Sequence, residues 1–264
     1  MGGAKFGGTK PMKGGDDMNL KDMYHPWNSH EAVEDRLLSN ENKIAEFLQT
    51  SFVNGDTLEK AIHMFESYSS EHNMGMTLGV EKGEILERVL ASKRPLVVLE
   101  FGSHIGDATL RILNSMKSNE INECILFSFE SNPEWLGIGA SIVRHVLQQS
   151  DVKCRYIPLI LTSDISNLCE YVRSHVDDYV DAVFFDHVHS NFLNDLQILR
   201  KYNLLKDKTL LIADNALRHK YAMKGFIEYT RKNSNTFNLY PVGEPYPDEI
   251  LVAEWKQPNS HDEL

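Results

Sequence analysis

Val183-Phe184-Phe185-Asp186 and, farther along, Leu210-Leu211-Ile212-Ala213-Asp214-Asn215 are two apolar runs that each end in acid. A continuous run of Val, Leu, Ile and Phe bounded by polar residues predicts a strand buried on both faces, the habit of a parallel sheet. A carboxylate at the end of such a strand stands on a rigid scaffold, at the edge where open α/β sheets bind their ligands. Asp186, Asp214 and Asn215 together offer three side-chain oxygens, a donor set suited to a hard cation. The plainer reading, in which the two aspartates only cap the next helices, gives Asn215 no part.

Working outward from these strands, the pattern alternates. Strands are expected at Leu96–Glu100, Cys124–Glu130, Lys153–Leu159, Asp181–Asp186 and Thr209–Asp214. Helices are expected between and after them, at Gly106–Met116, Pro133–Gln149, Ile165–Ser174, Phe192–Tyr202 and Tyr221–Lys232. Repeated β-α units predict an α/β fold of the Rossmann-like, doubly wound kind: a mostly parallel sheet with helices on both faces. Two consecutive strands near Thr236–Tyr240 and Glu249–Trp255 predict an antiparallel edge. Upstream, residues 31–51, 57–70 and Glu81–Ser92 read as three amphipathic helices. Residues 1–30 are Gly-, Lys- and Asp-rich without periodicity and are expected to pack loosely. The division is thus a loose segment 1–30, one domain over 31–257 and a tail over 258–264.

The 264 residues are enough for one sizeable core, and 42% hydrophobic with 25% charged is ordinary for a folded chain. A formal net charge of -11 argues against a nucleic-acid or anionic-membrane surface. No stretch approaches the roughly 20 apolar residues of a membrane helix, so no membrane insertion is expected. Cys124, Cys154 and Cys169 are too few and scattered for a disulfide framework or a zinc cluster and are expected to be buried small hydrophobes. The chain ends His261-Asp262-Glu263-Leu264, an address read by the retention receptor of the endoplasmic reticulum. The first residues have no apolar core and are no signal peptide, so a lumenal location needs a leader removed upstream; otherwise the chain is cytoplasmic.

Two further strand ends carry chemistry. Leu96-Val97-Val98-Leu99-Glu100-Phe101-Gly102-Ser103-His104-Ile105-Gly106 is a strand, a glycine turn and a helix start. Glycines there allow close backbone approach to a ligand, and Glu100 suits a ligand bearing a cation, such as an amino acid. The Gly-x-x-x-Gly spacing misses the Gly-x-Gly-x-x-Gly fingerprint and disfavours a nicotinamide enzyme. Phe129-Glu130-Ser131-Asn132-Pro133 closes the next strand with an acid placed to accept both hydroxyls of a ribose. His187 and His189 follow Asp186; imidazole prefers zinc, iron or copper, so a hard ion is assigned to the oxygens and His189 is left free.

Together these pieces resemble the catechol O-methyltransferases, magnesium-dependent enzymes that use S-adenosylmethionine, over about residues 40–257. The segment Met76-Thr77-Leu78-Gly79-Val80-Glu81-Lys82-Gly83 is similar to the family's entry segment, which touches the amino acid part of the cofactor. The resemblance implies cofactor contacts from Leu78, Glu100, Gly102, His104, Ala108, Glu130, Ser131, Thr162 and Asp186. It implies Mg2+ ligation by Asp186, Asp214 and Asn215, with Asn215, His189 and Glu244 facing the substrate. It also brings out departures. His189 stands where the family has its catalytic lysine. Met74 and Val188 stand at tryptophan positions, His219 at a proline, Asp107 at a tyrosine and Ala108 at a serine.

What the resemblance implies is an S-adenosylmethionine-dependent O-methyltransferase acting on a hydroxyl of a small catechol-like substrate, with Mg2+ assistance and His189 as the base. A neutral imidazole near pH 7 can accept a proton. The alternative is a non-catalytic binding or assembly protein of the endoplasmic reticulum on a methyltransferase scaffold, since fold does not fix function.

Overall fold

The computed structural model describes residues 30–117, 124–176, 179–243 and 247–257, with side chains from residue 38 onward. Expectations for residues 1–29, for Glu244 and for the His261–Leu264 tail lie outside the described residues.

Three helices come first: α1 (His30–Ser51), α2 (Leu58–Glu71) and α3 (Val80–Lys93). Thr57 caps α2 by accepting the Lys60 N–H. The alternation then runs β1 (Val97–Phe101), α4 (Asp107–Lys117), β2 (Cys124–Glu130), α5 (Pro133–Gln149), β3 (Cys154–Ile160) and α6 (Ser166–Arg173). It continues with β4 (Val180–Phe185), a single 3₁₀ turn (His189–Asn191), α7 (Phe192–Lys201), β5 (Leu205–Ala213), α8 (Lys224–Lys232), β6 (Ser234–Val242) and β7 (Asp248–Trp255). Pro133 opens α5 behind Asn132, whose side chain accepts the Glu134 and Trp135 N–H groups.

The strands form one seven-stranded sheet in the order β3-β2-β1-β4-β5-β7-β6. The first five pair in parallel, and β7 runs antiparallel between β5 and β6. The doubly wound, mostly parallel sheet with an antiparallel edge is therefore what the chain adopts. The two opening runs are buried as their composition requires: Val183, Phe184 and Phe185, and Leu210 to Ala213, are all within 1% of full burial. Alternate residues face opposite layers. Phe184, Leu210 and Ile212 join a core with α1 to α5, while Val183, Phe185, Leu211 and Ala213 join one with α6 to α8.

Two details differ from expectation. β5 begins at Leu205 rather than Thr209, with a register irregularity between Val180 and Ala182. The polar run Lys206-Asp207-Lys208 masks its start. Cys124 and Cys154 are also not both lone hydrophobes. They are direct register partners on β2 and β3, and a disulfide joins them with Cα atoms 4.8 Å apart. That span lies within disulfide range. Cys169 is free and buried, as expected.

Candidate active site

The parallel direction of β1, β2, β4 and β5 sends their carboxyl ends to one edge. Gly102 follows β1, Glu130 ends β2, Asp186 follows β4 and Asp214 follows β5. Because β7 is reversed, its first residue, Asp248, reaches the same edge. The sequence reading, which began this strand at Glu249, missed Asp248.

Gly102 explains how tightly this edge is built. Its φ is +91°, and a Cβ there would lie 2.2 Å from the Asp186 carbonyl oxygen. The Asp186 N–H donates to Phe101 O at 2.8 Å, fastening the end of β4 to β1. Only glycine fits both the left-handed backbone and this approach.

Asp186, Asp214 and Asn215 are brought together. The Asn215 amide, at φ +62°, donates to Asp214 Oδ2 at 3.0 Å and faces Asp186 Oδ1 at 3.4 Å. Neither aspartate caps α7 or α8, which begin six and ten residues later and have no side-chain cap bond. Burial, then the charge of Asp214, raises the Asp186 pKa well above the carboxylate range. Burial also raises that of Asp214, against the lowering effect of Lys82. Two acids crowded at one point out of water call for a positive charge.

Part of that charge comes from Lys82, to which the sequence reading gave no role. Its Nζ lies 2.8 Å from Asp214 Oδ1, 3.1 Å from Asn215 Oδ1 and 2.8 Å from Asp248 Oδ2. Burial lowers its pKa, but the Asp214 charge and the bonds to Asp214 and Asp248 outweigh this, and the net shift is upward. Lys82 is therefore an ammonium. The signal was present in Lys82 itself, a lone cation inside the quoted entry segment at the start of α3.

Among the described residues, no three or more His, Cys, Asp or Glu side chains are grouped to hold a metal ion. The donor set at the edge is two carboxylates and one amide oxygen, which is the chemistry of Mg2+, Mn2+ or Ca2+ rather than of zinc. Asp214 Oδ1 is buried and accepts no hydrogen bond, and the charge that faces it is the Lys82 ammonium at 2.8 Å. These residues fit a hard divalent ion once the Asn215 amide turns its oxygen toward the two aspartates.

Residues that the resemblance assigns to a cofactor lie near the same edge. Glu130 accepts the His104 N–H at 2.9 Å and the Asn132 N–H at 2.8 Å, and Ser131 donates to it at 3.2 Å. Glu100 is fully buried. Burial pushes its pKa up to about 7, against the Ser128 and Thr109 hydroxyls that donate to its Oε2. His104, at φ +46°, directs its Nε2 to Glu41 on α1 at 2.5 Å, a partner the sequence did not reveal. A Cβ on Gly79 would meet nothing within 4 Å, so the ground beside Leu78 is open. Ala108 is buried, whereas Thr162 is exposed and donates to Asp164 O. One point departs from a cradle for an amino acid: the Leu78 N–H donates to the Asp107 carboxylate at 2.8 Å. Asp107 also lies 3.6 Å from buried Arg111, which pairs with Glu66 and Glu87.

His189 lies on the 3₁₀ turn after β4. Its ring stacks on His219, centroids 3.9 Å apart, and leans on Phe192. Burial, then the neighbouring His219 and His187, lowers its pKa to about 4, so the ring is neutral at pH 7. Its buried Nε2 has no hydrogen-bond partner. His187 is committed elsewhere, with Nε2 2.7 Å from Asp195 and its ring stacked on Phe192. At the two positions where the resemblance expects tryptophan, Met74 is half-buried and Val188 is 59% exposed. A cavity of about 500 Å³ lined by Arg200, Tyr229 and Trp255 lies at the opposite, amino edge of the parallel strands. It holds no residue expected at the site.

A seven-stranded sheet of this order, parallel but for its antiparallel edge, is the fold of solved class I O-methyltransferases. The O-methyltransferase from Bacillus cereus, solved in complex with SAH, superposes with a TM-score of 0.59 at 13% identity, covering 83% of this chain and all of that one. In sequence the chain is similar to catechol O-methyltransferase of Bos taurus, at 29% identity over 196 residues, 74% of this chain and 68% of the relative. It is similar to that of Mus musculus at 27% over 198 residues, 75% and 70% of the two chains. No family model matches. The resemblance carried by the strand-end motifs thus extends along three quarters of the chain.

Proposed function

We propose that this protein is an S-adenosylmethionine-dependent O-methyltransferase acting on a hydroxyl of a catechol-like substrate with Mg2+ assistance. The observation that carries the reading is the convergence of Asp186, Asp214 and Asn215 at the edge that also holds the Gly102 turn and Glu130. Asp186, Asp214 and Asn215 would hold the ion, and Leu78, Glu100, Gly102, His104, Ala108, Glu130, Ser131 and Thr162 would border the cofactor. When bound, the cofactor supplies a methyl on a sulfonium, and the ion supplies the charge that acidifies a neighbouring hydroxyl.

The chain's own part is positioning, charge placement and a proton. Gly102 and Asp186 lock two strand ends together, so the carboxylates and the cofactor turn hold a fixed spacing. The unpartnered Nε2 of neutral His189 is an acceptor for the substrate hydroxyl proton. The stacked His189–His219 pair supplies a flat wall where the family uses other residues.

One observation favours the binding-protein alternative: Asp107 already takes the Leu78 N–H beside the expected amino acid part of the cofactor. Calorimetry with S-adenosylmethionine and S-adenosylhomocysteine, followed by methyl transfer to a panel of catechols with MgCl2, separates the two. Binding with turnover supports the enzyme; no binding of either adenosyl compound refutes it. The Cys124–Cys154 disulfide is of a kind that persists in oxidising compartments.

A further inference from the structure

We infer that Lys82 is the resident counter-ion of the carboxylate seat, and that a divalent cation gains Asp214 and Asn215 only by drawing its ammonium off them. The inference rests on the reading of Asp186, Asp214 and Asn215 as cation ligands. An ammonium has three protons, and here its near neighbours are Asp214, Asn215 and Asp248. Its side chain is 13% exposed, so water offers little competition.

The partners differ in how firmly they are held. Asp248 is fixed from behind, its Oδ1 accepting the Arg218 N–H at 3.1 Å and the Glu249 N–H at 2.8 Å. It does not follow the lysine. Asp214 keeps Oδ1 without a hydrogen bond despite the nearby Nζ. The Asn215 amide turns its oxygen to Lys82 and its NH2 to the aspartates.

These contacts define two arrangements of one set of side chains. In the first, seen here, Lys82 bridges Asp214 and Asp248. In the second, Lys82 stays on Asp248 alone, and the amide turns over to present its oxygen beside Asp186 and Asp214. Three carboxylates against one ammonium leave two formal negative charges, the charge of one divalent ion. Lys82 is thus a positioning residue that stabilises the cation-free site and weakens cation affinity.

The test is titration of MgCl2 and of MnCl2 into the full chain and into Lys82→Met, by calorimetry and by melting temperature. The expected result is a dissociation constant at least tenfold lower in Lys82→Met. Its melting temperature without cation should be several degrees below wild type, and saturating Mn2+ should close that gap. Equal affinities in the two proteins would overturn the inference and leave the cation seat standing. Binding of neither ion by either protein would overturn both. If Lys82→Met does not fold, Lys82→Gln takes the same measurements, and Lys82→Arg, which keeps the charge, should stay close to wild-type affinity.

Discussion

Replacing Glu100 by glutamine isolates the electrostatic character of the site from its shape. Glu100 is fully buried, and its pKa is pushed from 4.5 up to about 7, first by burial and also by the charges of Glu130 and Asp107. A carboxyl with a raised folded pKa binds its proton more tightly in the native state than in the unfolded one. Its contribution is therefore fully present below pH 4.5 and is lost as pH rises through about 7. A tenfold change in proton affinity is worth about 1.4 kcal/mol, so the loss across this window is about 3 kcal/mol. Glutamine carries no such charge. Its amide oxygen can accept the Ser128 and Thr109 hydroxyls that now reach Oε2, while its NH2 falls at the Oε1 position, which has no partner. That unpaired amide should cost about 1–2 kcal/mol at every pH. The variant should thus be slightly less stable than wild type at pH 5 and gain on it by about 3 kcal/mol by pH 8, or roughly 6–12 °C in melting temperature for a domain of this size. Chemical denaturation of both proteins without cofactor at pH 5, 6, 7 and 8 measures the difference directly, because the other groups titrate in both and largely cancel. A stability difference that stays flat across that range would refute the assignment of a buried, protonatable carboxyl to position 100.

Three other outcomes follow from particular contacts. His189→Ala should lower kcat for methyl transfer by about 10²–10⁴-fold if Nε2 takes the proton, and the wild-type acid limb should fall near pH 4 rather than 6.5, as pH–rate profiles will show. An unchanged kcat would remove His189 from the chemistry. Gly102→Ala places a methyl 2.2 Å from the Asp186 carbonyl at a φ of +91° and should cost at least about 2 kcal/mol, together with cofactor binding, measured by melting and calorimetry. Reduction of Cys124–Cys154, which closes a loop with a sequence separation of 30, should lower stability by about 3–4 kcal/mol on the chain-entropy account, read by denaturation with and without dithiothreitol.

The sheet was legible because its signal is local and redundant. The runs at 183–185 and 210–213 are apolar on both faces, and each expected strand between residues 96 and 214 has an observed counterpart within a few residues. The strand-end acids were legible for the same reason: a parallel strand fixes where its last residue goes. What the sequence withheld depends on partners distant along the chain. Lys82 and Asp248 are 166 positions apart and meet only because α3 begins at the edge where the reversed β7 starts. Glu41 reaches His104 from α1, 63 positions away. The disulfide required knowing that Cys124 and Cys154 share a register on adjacent strands, which spacing alone does not state.

The departures from the family pattern become intelligible in pairs. His189 and His219 look like two unrelated substitutions in sequence, yet their rings stack at 3.9 Å, so each is the other's surroundings. The stack helps bury His189 and, with His187, lowers its pKa, so the ring is neutral at pH 7 where the resemblance expects a lysine. The His189 ring is thus uncharged, while Lys82 keeps its charge beside the carboxylates. A lysine at 189 would need its pKa depressed far below its ordinary value to accept a proton at neutral pH, whereas a histidine needs no such depression. Imidazole, unlike the tryptophans that the resemblance expects at Met74 and Val188, is flat but polar at its edge. Under the proposed function, an imidazole wall would favour a ring whose own edge can hydrogen-bond, and a catechol panel graded by ring polarity is where that selection should appear.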